Sequence, residues 1–513
     1  MIKLNLSVPV NSNESLEKIV QKKIGAKEVK ECIILKKSID ARKKNAILYV
    51  YQLAVTTEND NKYLKHYERY THQPQYIQDL ITPRKLDIKP VVVGAGPAGL
   101  FASLTLAKLG LKPIVIERGQ SVDIRTKDVQ NFFKTGMLNT ESNVQFGEGG
   151  AGTFSDGKLN TNLHNEYIEV VLNEFVKAGA PSEILYDSKP HVGTDKLIDV
   201  VKNIRKQIEE LGGKFLFGTK LEDIRISNGK VTSAITNNGN IECNMLYLGI
   251  GHSARDTFEM LYSKNVNMVP KIFSMGTRIE HLRENIDKTQ YGDFAQYLPS
   301  SSYKLSTQTS TGRSLYTFCM CPGGKVINSS SEEGGICVNG MSYHARNDVN
   351  SNSAILVNVG PSDFGENPLD GVEYQRKFER AFFKYSGTYK PVVQKLSDFI
   401  SNKTTNSFGE VSPSVESGYS MGNIRELLPS VITDTILDGI HYFGNKIRGF
   451  DSGDAVLTGI ESRSSSPVKI LRDDKYNSNL IGLIPIGEGA GYSGGIVSSA
   501  IDGIKAVLLL CED

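Results

Sequence analysis

The first 87 residues alternate between apolar and polar positions over short stretches. Residues 2–8 alternate with the period of a strand, and residues 15–24 have the apolar spacing of a helix. Two further strands are predicted at residues 29–35 and 46–55. This β-α-β-β order predicts a small N-terminal α+β module.

A second pattern begins at residue 88. A short, wholly apolar strand at residues 91–93 is followed at once by glycines, by an apolar helix at 100–109 and by a second strand at 112–116. This is the start of a βαβ unit, and strands alternating with helices are typical of a parallel sheet. Further elements of the same kind are predicted at 195–211, 245–248, 480–485 and 496–510. We therefore predict an α/β fold with a Rossmann-type domain built from residues 88–267 and 476–513.

The stretch between these two parts has a different character. Residues 268–475 are rich in Ser, Asn, Gly and short strand-like runs, with helices predicted near 374–381 and 391–399. We interpret them as a second, mixed α+β lobe that caps the first domain and contributes to a substrate site.

Charge gives the chain as a whole no preference for a polyanionic partner. The 59 lysines and arginines nearly balance the 57 aspartates and glutamates, for a net charge of +2. Residues 1–87 are locally basic, with 16 basic and 10 acidic residues, or +6. The basic run at residues 36–44 is interpreted as a solvated loop between strands, with a patch that docks RNA or a protein as the alternative.

Cysteine spacing and hydropathy indicate the compartment in which the protein is expected. The six cysteines show neither metal-finger spacing nor a dense disulfide pattern, so we expect reduced thiols, a cytoplasmic location and no metal site. No window approaches about 18 uninterrupted apolar residues, so no membrane span is predicted.

The clearest chemical motif is Gly94-Ala95-Gly96-Pro97-Ala98-Gly99, which follows a strand and opens a helix. In this context Gly94 permits a tight turn, Gly96 lets the backbone approach a pyrophosphate, and Gly99 allows close helix–strand packing. Glu117 ends the next strand, where an acid accepts hydrogen bonds from an adenosine ribose. Together these features predict a dinucleotide site.

Two later glycine-rich segments decide which dinucleotide is expected. Gly147–Gly152 lies in a long loop with no amphipathic helix after it, which suits backbone passing close to a flat ring system. Gly487–Gly495 forms another strand-to-helix turn, far from the first in sequence. If this turn and the turn at Gly94–Gly99 meet at one sheet edge, the Gly94–Gly99 turn holds the pyrophosphate and the Gly487–Gly495 turn faces the far end of the cofactor. Two such contacts favour FAD.

A nicotinamide dinucleotide is the alternative for one segment. Gly249-Ile250-Gly251 also follows a strand and precedes a helix, but no strand ending in an acid follows about 20 residues later. We therefore expect NAD(P)H, or another electron carrier, to be at most a transient partner.

The motifs resemble the FAD-binding superfamily of glutathione-reductase-like and geranylgeranyl-reductase-like flavoproteins. More closely, the chain resembles a bacterial family of FAD-dependent dehydrogenases that carry an N-terminal α+β module. Besides the glycine turns, the resemblance rests on segments 146–159, 191–195, 248–255, 318–324 and 461–467.

The resemblance implies FAD binding and redox chemistry, with Gly94, Gly96, Gly99 and Glu117 on the ADP half, Gly249 and Gly251 on the adenine side, and Glu488 near the ribityl or pyrophosphate groups. The full predicted cofactor set adds Pro97, Ala98, Arg118, Gly149, Gly150, Ala151, Gly487, Gly494, Gly495 and Ile496.

His252 and Arg463 are the predicted catalytic residues. His252 lies in a turn expected to face the cofactor. Arg463, together with Glu461, lies beside the polar loop at residues 464–467, which either faces the reactive edge of the flavin or is a turn stabilised by serine hydrogen bonds. Cys319 and Cys321 share a strand face, which leaves a dithiol relay open. The predicted function is an FAD-dependent oxidoreductase that transfers hydride between flavin N5 and a small or amphipathic organic substrate. The alternative is a flavoprotein with a mainly binding role, whose basic module docks RNA or a protein, although nucleic acid is not the expected partner.

Overall fold

The computed structural model describes residues 1–82, 87–161 and 163–511. Its N-terminal part is a four-stranded sheet in the order β2-β3-β1-β4, with β1 and β2 both antiparallel to β3. Alternate residues of β1 are buried, as the sequence alternation requires. The elements are β1 (Ile2–Pro9), α1 (Leu16–Ile24), β2 (Val29–Asp40), β3 (Leu48–Thr57), α2 (Asp60–Tyr63) and β4 (Glu68–Arg69).

One prediction for this part was wrong. The basic run at residues 36–44 is not simply a loop, because Lys36 to Asp40 belong to β2 and pair with β3. The predicted boundary at residue 87 adjoins residues 83–86, which lie outside the described residues and include two of the basic side chains counted above.

A five-stranded parallel sheet follows, in the order β23-β11-β5-β6-β7. Its central strand β5 is buried along its whole length, which explains the uninterrupted apolar run. A three-stranded antiparallel sheet, β8 to β10, connects β7 to β11. The elements are β5 (Pro90–Val93), α3 (Pro97–Lys108), β6 (Ile114–Glu117), α4 (Val122–Thr135), α5 (Tyr167–Lys177), α6 (Thr194–Glu210), β7 (Lys214–Phe217), β8 (Leu221–Ser227), β9 (Lys230–Thr236), β10 (Gly239–Glu242), β11 (Met245–Leu248) and α7 (Arg255–Ser263), with β23 (Leu483–Pro485) and α14 (Ile496–Leu508) near the C-terminus.

The strand order confirms the predicted Rossmann-type α/β fold. The chain runs from β5 outward through β6 to β7, then returns to the other side of β5 with β11 and β23. The connection reverses direction between β5 and β11, and open parallel sheets bind ligands at such a switch point, beyond the carboxyl ends of the strands.

The residues between β11 and β23 build a second, seven-stranded sheet in the order β14-β15-β18-β13-β21-β19-β20. The segment predicted as a helix at residues 391–399 is instead strand β19 followed by a short helix, because Val392 to Lys395 pair with β21. The elements are β12 (Met268–Pro270), β13 (Phe273–Leu282), α8 (Arg283–Tyr291), β14 (Ser306–Gln308), β15 (Ser314–Cys321), β16 (Lys325–Asn328), β17 (Val338–Met341), β18 (Asn350–Val359), α9 (Pro361–Phe364), α10 (Asp370–Ser386), β19 (Val392–Lys395), α11 (Leu396–Ile400), β20 (Ser420–Met421), α12 (Ile424–Leu427), α13 (Ser430–Lys446), β21 (Val456–Glu461) and β22 (Val468–Ile470).

Every helix in the described part of the chain is too short or too polar to span a bilayer. Residues 1–82, 87–161 and 163–511 also contain no group of three or more His, Cys, Asp or Glu side chains placed to hold a metal ion.

Candidate functional site

A cavity of about 350 Å³ opens where the parallel sheet faces the seven-stranded sheet. Its lining includes Val93 and Ile116 at the carboxyl ends of β5 and β6, and Gly249 and Ile486, which follow β11 and β23. The position is the switch point of the sheet, and the volume lies in the range of about 300–1,000 Å³ that small-molecule and cofactor sites occupy.

Most of the residues predicted to bind the cofactor line this cavity, although the first and last of them are about 400 positions apart. The members in its wall are Gly94, Gly96, Pro97, Ala98, Glu117, Arg118, Gly150, Ala151, Gly249, Gly251, Glu488, Gly494, Gly495 and Ile496. Both predicted catalytic residues, His252 and Arg463, line it too. Gly99, Gly149 and Gly487 do not.

The glycines outside the wall have packing roles. A Cβ on Gly99 would lie 1.9 Å from the carbonyl oxygen of Gly94, so only glycine lets α3 start this close to β5. A Cβ on Gly149 would meet the Thr153 hydroxyl at 2.0 Å, and one on Gly487 would meet the Ala98 side chain at 2.7 Å. The last contact brings the two distant glycine turns directly together.

At two glycines in the wall, close packing inside the protein does not explain why the residue is glycine. Gly96 has an ordinary φ of −77°, and a Cβ there would meet only the Gly150 Cα at 3.7 Å. A Cβ on Gly494 would meet nothing within 4 Å. Bare backbone therefore faces the cavity at two places where the fold itself would accept a side chain.

The starts of two helices complete these turns. Helix α3 begins after Gly96 and α14 after Gly495, and no side chain caps the first turn of α3. The Ser498 hydroxyl accepts a hydrogen bond of 3.0 Å from the Gly495 N–H. Uncapped N–H groups and the positive end of a helix dipole favour an anionic ligand group.

Glu117 has a larger structural role than the sequence predicts. Its buried carboxylate accepts hydrogen bonds from the backbone N–H groups of Ala95 (2.8 Å), Gly119 (2.9 Å) and Gly147 (2.9 Å). It thereby ties the first glycine turn to the long glycine loop. Since a carboxylate has about four acceptor positions, one remains for a ligand hydroxyl.

Glu488 presents a carboxylate to the cavity, and no hydrogen bond to its side chain is found in the described part of the chain. Burial raises its pKa to about 7, partly offset by the nearby Lys271. It can accept from a ligand hydroxyl when ionised or donate to a ligand oxygen when protonated. Asp502 supports this turn by accepting a 2.7 Å hydrogen bond from the Gly487 N–H.

The surroundings of the two predicted catalytic residues fix the protonation state of His252 and the orientation of Arg463. Burial lowers the pKa of His252 to about 3, and the neighbouring Arg463 and Arg255 add to the effect, so its imidazole is neutral near pH 7. Arg463 directs two donors at the buried carboxylate of Glu379, at 2.9 and 2.7 Å. It also donates to the Ser253 hydroxyl at 3.2 Å, and Ser253 contacts His252 at 2.9 Å.

The facing wall carries a cluster of charged groups that the sequence indicates only in part. Glu461 was predicted to lie near the cofactor beside Arg463, and Asp156 and Lys158 lie in the glycine-rich loop, but Arg278 and Arg346 had no signal in the sequence. Arg278 on β13 forms a buried ion pair of 3.1 Å with Glu461 at the end of β21. Lys158 pairs with Asp156 at 3.0 Å, and Asp156 in turn binds Arg346. Burial raises the pKa of Glu461 to about 7, with Arg278 acting in the opposite direction.

Comparison with known proteins identifies the cofactor of this chain. Residues 272–464 match the family described as "FAD-dependent protein, C-terminal domain-like", residues 89–129 match an FAD-binding domain, and residues 1–56 match a domain of unknown function. An "Uncharacterized protein" of Clostridium beijerinckii is 47% identical over 520 residues, which cover 99% of this chain and 98% of the relative. The chain belongs to this family of FAD-dependent proteins. Its cofactor is FAD.

Two solved structures resemble it at low sequence identity. L-Proline dehydrogenase from P. horikoshii has a TM-score of 0.35 and 12% identity, covering 84% of this chain and 94% of that one. A geranylgeranyl bacteriochlorophyll reductase-like protein from Thermoplasma acidophilum gives 0.35 and 12%, covering 83% and 78%. Likenesses this distant say nothing of the substrate, and the wider superfamily stays a prediction.

The residues around the cavity fit FAD. Bare backbone at Gly96 and Gly494 leaves space that the protein does not fill, and the helix starts beside both glycines suit a pyrophosphate and an electron-rich ring. The carboxylate of Glu488, which has no side-chain hydrogen bond among the described residues, suits a hydroxyl-bearing chain between these two ends. The contribution of each residue remains a prediction.

Proposed function

We propose that this protein is an FAD-dependent oxidoreductase that moves a hydride between the flavin and a small or amphipathic organic substrate. The observation that carries the proposal is the pairing of two unlike walls around one cavity. One wall is bare backbone suited to holding a dinucleotide, and the other carries ionisable side chains. A purely structural cofactor would not need the second wall.

On the first wall, the residues from Gly94 to Gly99 would hold the pyrophosphate, and Glu117 would offer its remaining acceptor position to the adenosine ribose. The turn from Gly494 to Ile496 faces the ring end, where the N-terminus of α14 stabilises negative charge. FAD supplies two-electron chemistry at its N5 atom when bound. The packing of Gly487 against Ala98 fixes the distance between these two binding regions.

On the second wall, Glu461 is the group we assign to proton handling. It is 4% exposed, lies in the cavity lining and has a pKa raised to about 7, so either protonation state is accessible near neutral pH. A hydride leaving a C–H bond next to a hydroxyl or amine requires a partner that accepts the accompanying proton. Glu461 can hold that proton at a carboxylate oxygen, while Arg278 stabilises the ionised form.

His252 and Arg463 have supporting roles in this proposal. Because His252 is neutral, it orients a substrate or cofactor group by hydrogen bonding and does not act as a cationic acid. Arg463 is a positioning residue, since Glu379 neutralises its charge and its remaining donors hold Ser253 and Ser331.

The reductant is either the substrate itself or a nicotinamide nucleotide that binds transiently. The binding-protein alternative has less support, because much of the basic run behind it is paired strand, with Lys37 held against the Tyr49 ring at 4.8 Å.

The test is an absorbance spectrum of the purified protein, followed by anaerobic reduction with NADH and with NADPH. We expect about one FAD per chain and bleaching of the flavin bands. Because a nicotinamide gives up its hydride without an accompanying proton, the role of Glu461 is tested with a hydroxyl- or amine-bearing organic donor that bleaches the wild-type flavin. A rate of bleaching by that donor lowered by at least tenfold in Glu461→Gln, but unchanged in the surface variant Glu210→Gln, supports the assignment. A protein that takes up no FAD contradicts the proposal, and equal rates in wild type and Glu461→Gln contradict the role of Glu461.

A further inference from the structure

Two cysteines lie at the irregular end of β15. The pairing of β15 with β18 shifts register between Phe318 and Cys321, and Cys319 has a φ of +42°, which is unusual for any residue but glycine. Cys319 is partly exposed and lines the cavity, whereas Cys321 lies buried behind it. The strand therefore has one thiol that is accessible from the cavity and a second thiol that is buried.

The two cysteines contact each other at this bend. The Cys321 thiol donates to the carbonyl oxygen of Cys319 at 3.3 Å. In a regular strand, residues two apart are separated by about 6.6 Å between Cα atoms, near the upper limit of about 6.8 Å for a disulfide. The bulge and the positive φ at Cys319 bend the chain away from that extended geometry.

Cationic groups surround this bend. Arg278 donates to the Cys319 carbonyl at 2.9 Å and approaches the Cys321 sulfur at 3.7 Å, while the Lys158 ammonium binds the carbonyl of Met320 between the cysteines. The hydrogen bond from Cys321 lowers the pKa of the Cys319 thiol, and Lys158 and Arg278 act in the same direction against the effect of burial. The thiolate is the form that reacts in thiol–disulfide chemistry.

Other cysteines of the chain lack this environment. Burial raises the pKa of Cys243 to about 11, and it raises the pKa of Cys32 in the N-terminal sheet to about 11 as well. Burial also raises the pKa of Cys337. Compared with these three thiols, Cys319 is therefore the more reactive one.

We infer that Cys319 and Cys321 are a redox-active dithiol–disulfide couple built into the cavity wall. Oxidation breaks two S–H bonds and forms one S–S bond, releasing two electrons and two protons. The electrons pass to a two-electron acceptor of the flavin class in the same cavity, so this part of the inference rests on the proposed function. Formation of the disulfide itself does not, because a soluble oxidant such as diamide can accept the same electrons.

The first experiment counts thiols in the full-length protein. Trypsin cleavage after Arg313 and Lys325 puts both cysteines in one peptide. After diamide treatment, alkylation under denaturing conditions and mass spectrometry, we expect this peptide to be two hydrogens lighter and unalkylated. Cys321→Ser should leave Cys319 unable to close this bond, while Cys32→Ser, the matched control, should close it as the wild type does. A wild-type peptide that remains fully alkylated overturns the inference.

The second experiment is an anaerobic dithionite titration of the diamide-treated holoprotein. We expect two two-electron equivalents per FAD in the wild type and in Cys32→Ser, but one in Cys321→Ser. One equivalent in all three proteins overturns the exchange of electrons with FAD. If the protein holds no FAD, the proposed function fails, yet the peptide result still decides whether the couple exists.

Discussion

Replacing Gly96 by alanine should affect the stability of the fold and the affinity for FAD in opposite directions. Gly96 has a φ of −77°, which alanine adopts without strain, and the new methyl group would meet only the Gly150 Cα at 3.7 Å. A glycine-to-alanine change at such a position stabilises a protein by about 0.4–1 kcal/mol, since it restricts the unfolded chain. The apoprotein of Gly96→Ala should therefore be at least as stable as the wild type.

FAD binding should change in the opposite direction. The methyl group enters the space that we assign to the pyrophosphate, and pushing back a charged group costs hydrogen bonds worth about 1.5–3 kcal/mol each. A loss of about 3 kcal/mol corresponds to roughly 150-fold weaker binding. The same methyl group would thus raise the melting temperature of the apoprotein and raise the Kd for FAD.

The assay is fluorescence titration of apoprotein with FAD, together with the melting temperature of each apoprotein. Gly99→Ala is the contrasting variant, because its Cβ would lie 1.9 Å from the Gly94 carbonyl oxygen and should destabilise the fold itself. Unchanged FAD affinity in Gly96→Ala would refute the placement of the pyrophosphate. A loss of apoprotein stability in that variant would refute the steric reasoning.

Three further predictions follow from single carboxylates and one imidazole. Glu117→Gln replaces an oxygen that accepts from backbone N–H groups by an amide nitrogen, which cannot accept. It should therefore weaken FAD binding by about 2 kcal/mol, or roughly 30-fold, in the same titration. Wild-type affinity in this variant would show that these contacts do not shape the site. The pKa of Glu461 is raised to about 7 in the folded state, so the native protein binds this proton more tightly than the unfolded chain and loses up to about 3 kcal/mol of stability as pH rises from about 4.5 to 7. Glu461→Gln should flatten the fall in melting temperature over that interval, and an unchanged slope would argue against the raised pKa. His252, with a pKa of about 3, stays neutral from pH 5 to 8, so His252→Gln should alter the rate of flavin reduction without changing the shape of its pH profile; loss of an ionisation in that range would contradict this.

The parts of the site that lie next to one another in sequence were predictable. Gly94 to Gly99 and Gly487 to Gly495 each lie between a strand and a helix, so local pattern alone indicated where backbone would be exposed. The parallel pairing of β11 with both β5 and β23 then brings these turns to one edge of the sheet. The sequence pattern put Glu117 at the end of a strand, where β6 does end, while its role toward the ribose stays a prediction. Its backbone partners Ala95 and Gly147 were not foreseen, because they are 22 and 30 positions away.

The facing wall was not predictable, because its charges come from separate strands. Lys158, Arg278 and Glu461 are each more than 100 positions apart in sequence, and although Lys158 and Glu461 lie in conspicuous segments, neither segment indicates that Arg278 is nearby. Sequence spacing placed Cys319 and Cys321 on one strand, but the bulge that turns one toward the cavity arises only from pairing with β18. Val392 and Val393 were assigned to a helix although their β-branched side chains suit the strand that pairs with β21.

A crystal structure of the protein with FAD bound tests the placement of the cofactor most directly. We expect one FAD per chain, with its pyrophosphate against backbone N–H groups of residues 94–99 and its ring system beside residues 494–496. FAD bound outside the cavity, or with only one of these two segments in contact, would contradict it.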